Sequence, residues 1–225
     1  MIITHYFPNL YQNEVISDQK LFTSITEYTV QDQQVLAAQL LCSSGRALRR
    51  FDQLENYMQR RIQTEQWLYS AFLEIGGRPR SSHPFYFILG KNDHLKNDFG
   101  PNAGEIVLDT TQISACDISF TLGDSIGIYF STTQKRLYSL DEIESILQNT
   151  PLVQEQMALL EQYHQYIEVQ LWNKRYLSAA QVIRHHPQMM DNSLLSTVIL
   201  LRFLSNYKTK LSLFSSQNAN QSHFQ

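Results

Sequence analysis

The longest helical signal in the chain, DQLENYMQRRIQTEQWLYSAFLEI at 52–75, stops at Gly76–Gly77, and the residues beyond it have the texture of strands. Leu54, Tyr57, Met58, Ile62, Leu68, Phe72 and Ile75 form a stripe at helical spacing. Asp52 with Glu55 three residues on forms a capping box at its start. The two glycines suit its end. Then HPFYFILG (83–90), GEIVLD (104–109), CDISFTL (116–122) and SIGIYF (125–130) read as four strands separated by Gly, Asn and Asp. A helical block followed by a run of strands predicts an α+β fold with a mixed or antiparallel sheet, not an alternating parallel one.

The remaining segments fit that frame. Met1–Phe7 is apolar and β-branched and predicts a first strand. Helices are predicted from Pro8 through Gln19, over 32–41, from the SLDE box at 139–142 through Leu147, and from Pro151 to about His164. In 166–172 Ile167, Val169 and Leu171 alternate with Glu168, Gln170 and Trp172, which is a strand period. Helices near 178–185 and 192–206 come next. The expected organisation is one domain over 1–208, with a helical insertion at about 29–76 and C-terminal helices, then a polar, disordered tail at 209–225.

Charge and composition narrow the function classes. A net charge of −3 argues against bulk binding of a polyanion and leaves room for a local basic patch. Cys42 and Cys116 lie far apart without ligand spacing, so free thiols in a reducing compartment are expected rather than a disulfide. MIITHYFPNL has neither the basic nor the apolar region of a signal peptide. The most apolar run, STVILLRFL at 196–204, is short and carries Arg202, so no membrane span is expected. No phosphate loop, GxGxxG, HExxH or GxSxG motif occurs, and no metal is expected.

Three places can carry chemistry. His5 sits within the apolar first strand, either as a satisfied structural residue or as a ligand contact. Phe85, Tyr86 and Phe87 in succession put aromatics on both faces of one strand; packing accounts for one face, and the other offers a stacking surface. Glu168 is a strand glutamate, either solvated or catalytic. A basic segment, RALRRFDQLENYMQRR at 46–61, includes Arg49 and Arg50; it is either a solvated helix face or a phosphate patch. Asp124 in FTLGDSIG at 120–127 reads as part of a hairpin turn, the alternative being that Asp124 and Ser125 face a cleft.

A histidine on the first strand, aromatics on a middle strand and a glutamate on a late strand resemble the layout of ADP-ribosyltransferase-like domains. ITHYFPNLYQNEVISDQKLFTSI resembles the opening of that family, HPFYFILGKNDHL the middle segment of its DNA-modifying bacterial toxins, and YIEVQLWNKRYLSAAQVI their closing strand and helix. The likeness covers roughly 2–25, 83–130 and 164–185 and leaves 29–76 without a counterpart. It implies NAD as substrate, Glu168 as the catalytic carboxylate, His5 on the adenosine ribose, Tyr86 and Phe87 around the nicotinamide, and Arg49 and Arg50 as candidates for the pyrophosphate. It also implies a toxin or effector acting in a cytoplasm, reached where necessary by a non-classical delivery route, with a nucleic acid or a protein as acceptor. Two positions before Glu168 stands Tyr166, where many such enzymes carry an acidic residue or glutamine, and this speaks against arginine as the acceptor. Two other classes fit the sequence: a non-catalytic adaptor using the 52–75 helix, and a nucleic-acid-binding regulator using the 46–61 arginines.

Overall fold

The computed structural model describes residues 1–8, 22–41, 45–100, 102–131, 135–148 and 166–184. All of them belong to one unit, Met1–His185. The strands are β1 (Ile2–Phe7), β2 (Phe85–Leu89), β3 (Gly104–Asp109), β4 (Ile118–Thr121), β5 (Glu168–Leu171) and β6 (Gln181–Ile183). They form a six-stranded sheet in the order β4-β5-β2-β1-β3-β6. Every pairing is antiparallel, so the fold is α+β, with an antiparallel rather than a mixed sheet.

Register decides what each face carries, because alternate residues of a strand point to opposite sides. Ile118 pairs with Leu171, and Leu171 with Phe85; Phe120 pairs with Val169, and Val169 with Phe87. These side chains, with Ile3, Phe7, Ile106 and Leu108, make the main apolar core. Helix α5 (Leu140–Gln148) covers it with the fully buried Ile143. Each such side chain contributes about 1.5–3 kcal/mol on burial. The opposite face carries Ser119, Thr121, Tyr86, Thr4, Glu168 and Gln170, of which all but Tyr86 are fully or nearly fully buried.

Helix α2 (Leu54–Glu74) roofs that polar face. Phe72 stacks on Trp172 at 5.1 Å, and Leu68 and Leu137 complete a smaller apolar cluster there. The end of α2 matches the sequence expectation closely. Gly76 N–H donates to the Leu73 carbonyl and Gly77 N–H to that of Phe72, the paired bonds of a Schellman stop. Gly76 has φ 87°, and a Cβ on Gly77 would fall 2.5 Å from the Phe72 ring. The start differs. A 3-10 segment, Arg46–Gln53, precedes α2, and Gln53, not Asp52, stands at the cap position without a side-chain cap bond. Leu48 and Phe51, three residues apart, eclipse on a 3-10 turn and pack together against α1 (Val30–Leu41). That packing outweighs the capping box.

Two further expectations are corrected. SIGIYF is not a strand but helix α4 (Ser125–Ser131). Asp124 starts it: its carboxylate accepts from Gly127 N–H at 2.9 Å and its carbonyl from Ile128 N–H at 3.0 Å. The apparent alternation is interrupted by glycine, so capping decides the local fold, and Gly123–Asp124 is a helix entry rather than a hairpin turn. The helix expected near 178–185 is a 3-10 turn, Lys174–Ala179, followed by β6, whose pairing with β3 overrides helix propensity. The SLDE box forms as expected, with Ser139 N–H on Glu142 at 2.9 Å and Glu142 N–H on Ser139 Oγ at 3.2 Å. Short α3 (Asp93–Asp98) is capped by Asn92. Cys116 is a free, half-buried thiol, and Cys42 lies outside the described residues. No helix among the described residues is long and apolar enough to cross a membrane. The helices expected at 8–19 (from residue 9 on), 151–164 and 192–206, the boundary at 208 and the tail lie outside the described residues.

Candidate functional site

Glu168 opens β5 on the polar face of the sheet and is 5% exposed. Gln170 Nε2 donates to its Oε1 at 3.1 Å, and the same amide donates to Thr121 Oγ1 at 3.1 Å. Gln170 in turn accepts from Ser119, which accepts from the Trp172 indole, so the carboxyl is tethered to a buried polar ladder. Burial raises the Glu168 pKa to about 7, and the nearby Asp124 carboxylate adds to the rise. Arg61, Ser125 and Gln170 oppose it. The Ser125 hydroxyl, fully buried, stands beside the carboxyl without the geometry of a full hydrogen bond. A carboxyl poised near neutrality can donate and accept a proton at physiological pH.

Tyr86 faces the same side from β2. Arg61 of α2 lies over its ring at 3.6 Å. The Tyr86 hydroxyl donates to Glu65 Oε1 at 3.1 Å, Arg61 Nε sits 3.5 Å from that oxygen, and His83 Nδ1–H donates to Glu65 Oε2 at 2.6 Å. Burial, and the negative charges of Glu65 and Glu168, hold the Tyr86 phenol neutral; Arg61 works against them. Tyr166, next to Glu168 and Asp124, is also pushed up by burial and those carboxylates.

His5 and Phe87 point the other way. His5 pairs with Ile106 on the apolar face, with its ring 4.8 Å from Phe85 and 6.1 Å from Phe87. Its Nδ1–H donates to the Tyr86 carbonyl at 2.7 Å, which fixes the tautomer, and burial lowers its pKa to about 4. The sheet thus brings Glu168 and Tyr86 together and separates His5 and Phe87 from them. One cleft lined by all four does not form, because positions 5 and 87 have the opposite parity. What His5 does reach is the backbone of Tyr86, from behind.

The arginine segment is also divided. Arg46 pairs with Asp98 at 3.1 Å; Arg50 donates to the Ala47 carbonyl and lies 5.7 Å from the Tyr57 ring; Arg60 lies over Phe130 at 4.7 Å. Arg49 is exposed. Only Arg61 is buried, and Arg50 is close enough to Tyr166 to lower its pKa. Among the described residues no group of three His, Cys, Asp or Glu side chains is placed to hold a metal.

The sequence reading misses Glu65 and His83 and takes Arg61 only as part of the 46–61 basic segment. Its stripe used Ile62 and Ile75, which are 42% and 38% exposed. The buried positions of α2 are Met58, Arg61, Thr64, Glu65, Leu68 and Phe72. Their spacing of three and four was legible, had charged residues been admitted to the buried face. Compared with known proteins, the chain matches no family model, no curated protein and no solved structure.

Proposed function

We propose that this chain is an ADP-ribosyltransferase-like enzyme acting on NAD, with Glu168 as its catalytic carboxylate. One observation carries the reading: a buried carboxyl, poised near neutral pH, shares a polar sheet face with Tyr86, beneath Arg61 of α2. Cleavage of a nicotinamide–ribose bond develops positive charge on the sugar, and a fixed carboxylate in a desolvated site stabilises it. Protonated, the same group can hold a ribose hydroxyl or return a proton. Asp124 is exposed and Tyr166 half-buried, so the ligand enters on their side of Glu168. His5 acts as a positioning residue through the Tyr86 carbonyl, and Phe87 belongs to the core; neither contacts NAD. Arg50 is nearer the site electrostatically than Arg49 and is the better candidate for the pyrophosphate. The acceptor is of nucleic-acid or protein class, and the setting that of a toxin or effector.

Nicotinamide release from NAD, measured on the purified chain, tests this. Glu168→Gln is expected to lower it about 100- to 1,000-fold, the usual loss on removing a transition-state electrostatic partner. Equal rates in the two proteins, with the fold checked by circular dichroism, would discard the reading. A second reading, a non-catalytic adaptor, is favoured by Ile62, Tyr69 and Leu73 on the outer side of α2, which are 42%, 36% and 50% exposed. It predicts no NAD cleavage and loss of partner capture on Leu73→Asp.

A further inference from the structure

A cleft of about 530 Å³ lies between α2 and the 79–83 segment, lined on the helix by Ile62, Glu65 and Tyr69 and on the segment by Arg80, Ser81 and His83. That volume suits a nucleotide-sized ligand. The segment is pinned: Arg80 and Ser81 N–H both donate to the Trp172 carbonyl, at 2.9 and 3.0 Å. His83 is oriented by Glu65, whose carboxylate takes the Nδ1 proton and is itself held by Tyr86 and Arg61. The His83 side chain is 28% exposed, and its Nε2 makes no hydrogen bond within the described residues. Arg80 is exposed and has no carboxylate partner among them.

We propose that this cleft binds a nucleoside phosphate, with the phosphate on His83 Nε2–H and the Arg80 guanidinium and the base against Tyr69 and Ile62. The charge balance favours an anion. Arg61 and His83 share the single Glu65 carboxylate, and the exposed Arg80 has no carboxylate partner among the described residues, so cations outnumber anions at the cleft when His83 is protonated. Glu27 and Lys174, the other charges that His83 feels, are paired with each other. Arginine supplies the planar, paired donors that phosphate oxygens accept, and the imidazolium adds a third. The hydrogen bond to Glu65 raises the His83 pKa, partly offset by burial, so more of the cation is present at neutral pH than in a free histidine. Glu65, Glu27 and Lys174 are the charged groups that act on the His83 titration; Arg61 and Tyr86 reach it through Glu65, and Arg80 lines the same cleft. The site is separate from the carboxyl of Glu168 and does not depend on NAD cleavage.

Titration of the full chain with ADP, read from the His83 imidazole resonances, tests the proposal. Saturable binding is expected, weakened by rising pH, displaced by inorganic phosphate, and reduced at least about tenfold in Arg80→Ala, the loss expected on removal of a charge-assisted hydrogen bond. Arg80 is exposed, so that variant keeps its fold; His83→Gln is expected to lose binding as well. Glu168→Gln is expected to bind ADP like the wild type, which keeps this test apart from that of the catalytic carboxylate. Displacement by NAD supports the proposal and names a dinucleotide as the natural source; displacement by a single-stranded oligonucleotide supports it and names a nucleic acid. Absence of saturation, or equal ADP affinity in wild type, Arg80→Ala and His83→Gln, overturns it.

Discussion

The two faces of this sheet are made by the same strands in alternation, yet they obey different rules. On one face Phe85, Phe87, Val169 and Leu171 pack into an apolar core, and His5 beside them is kept neutral by burial. On the other, Glu168, Gln170, Ser119 and Thr121 are buried beneath a helix that contributes Arg61 and Glu65. The apolar face needs only volume and shape, and it tolerates a conservative exchange. The polar face needs every partner at once, because a buried charge without its partners loses hydration and gains nothing back. Polar groups at that density seldom arise for stability alone. The contrast is the ground on which the second face is proposed as the working one.

The sharpest way to break that contrast is at Glu65. It serves His83, Tyr86 and Arg61 at once while 2% exposed. Glu65→Leu strands a buried guanidinium and a phenol, and is expected to cost about 3–5 kcal/mol in urea unfolding. An equally bulky exchange on the apolar face, Leu171→Met, is expected to cost less than about 1.5 kcal/mol. If the two variants lose the same amount, the faces do not differ in this way.

Glu168 turns the comparison into a pH dependence. Its pKa is raised from 4.5 to about 7 in the folded chain. Between those values the folded state holds a proton that the unfolded state has released, so stability falls as pH rises through that window. The ionised carboxyl costs on the order of 3 kcal/mol above pH 7, taking 1.36 kcal/mol per pH unit. Glu168→Gln is therefore expected to raise the melting temperature at pH 8 and leave it nearly unchanged at pH 4.5, while activity falls. A variant that is destabilised equally at both values would show that the carboxyl is satisfied as an anion and not poised.

Much of this was legible in the sequence, and the failures have separate physical causes. The helix stop at Gly76–Gly77 and the Ser139–Glu142 box are local chemistry, and both form as their residues predict. So does the alternation that turns Glu168 away from Val169. The strand expected at 125–130 and the helix expected at 178–185 do not form, because Asp124 and the β3 pairing, not periodicity, decide those segments. His5 and Glu168 are grouped by the resemblance, order and spacing of their segments, which do not fix the face that each takes. Which face a strand position takes depends on the pairing of β1 with β2, and that register joins residues more than eighty positions apart. Glu65 and the burial of Arg61 are hidden by the expectation of only apolar residues on a buried helix face.

His5 offers the smallest effect and the cleanest sign. Its pKa is lowered to about 4, so between pH 6.5 and that value the unfolded chain binds a proton that the folded one refuses. Stability therefore falls as the solution is acidified through this window, the reverse of the Glu168 trend. His5→Phe removes the titration and places an aromatic ring where Phe85 and Phe87 already pack. It also leaves the Tyr86 carbonyl without its Nδ1–H partner, a loss of about 1 kcal/mol. The variant is expected to be slightly less stable than the wild type at pH 7.5 and more stable at pH 4.5, so that the two melting curves cross on acidification. Curves that stay parallel would mean that His5 is not held neutral by the core, and the apolar face would then be less dry than its neighbours require.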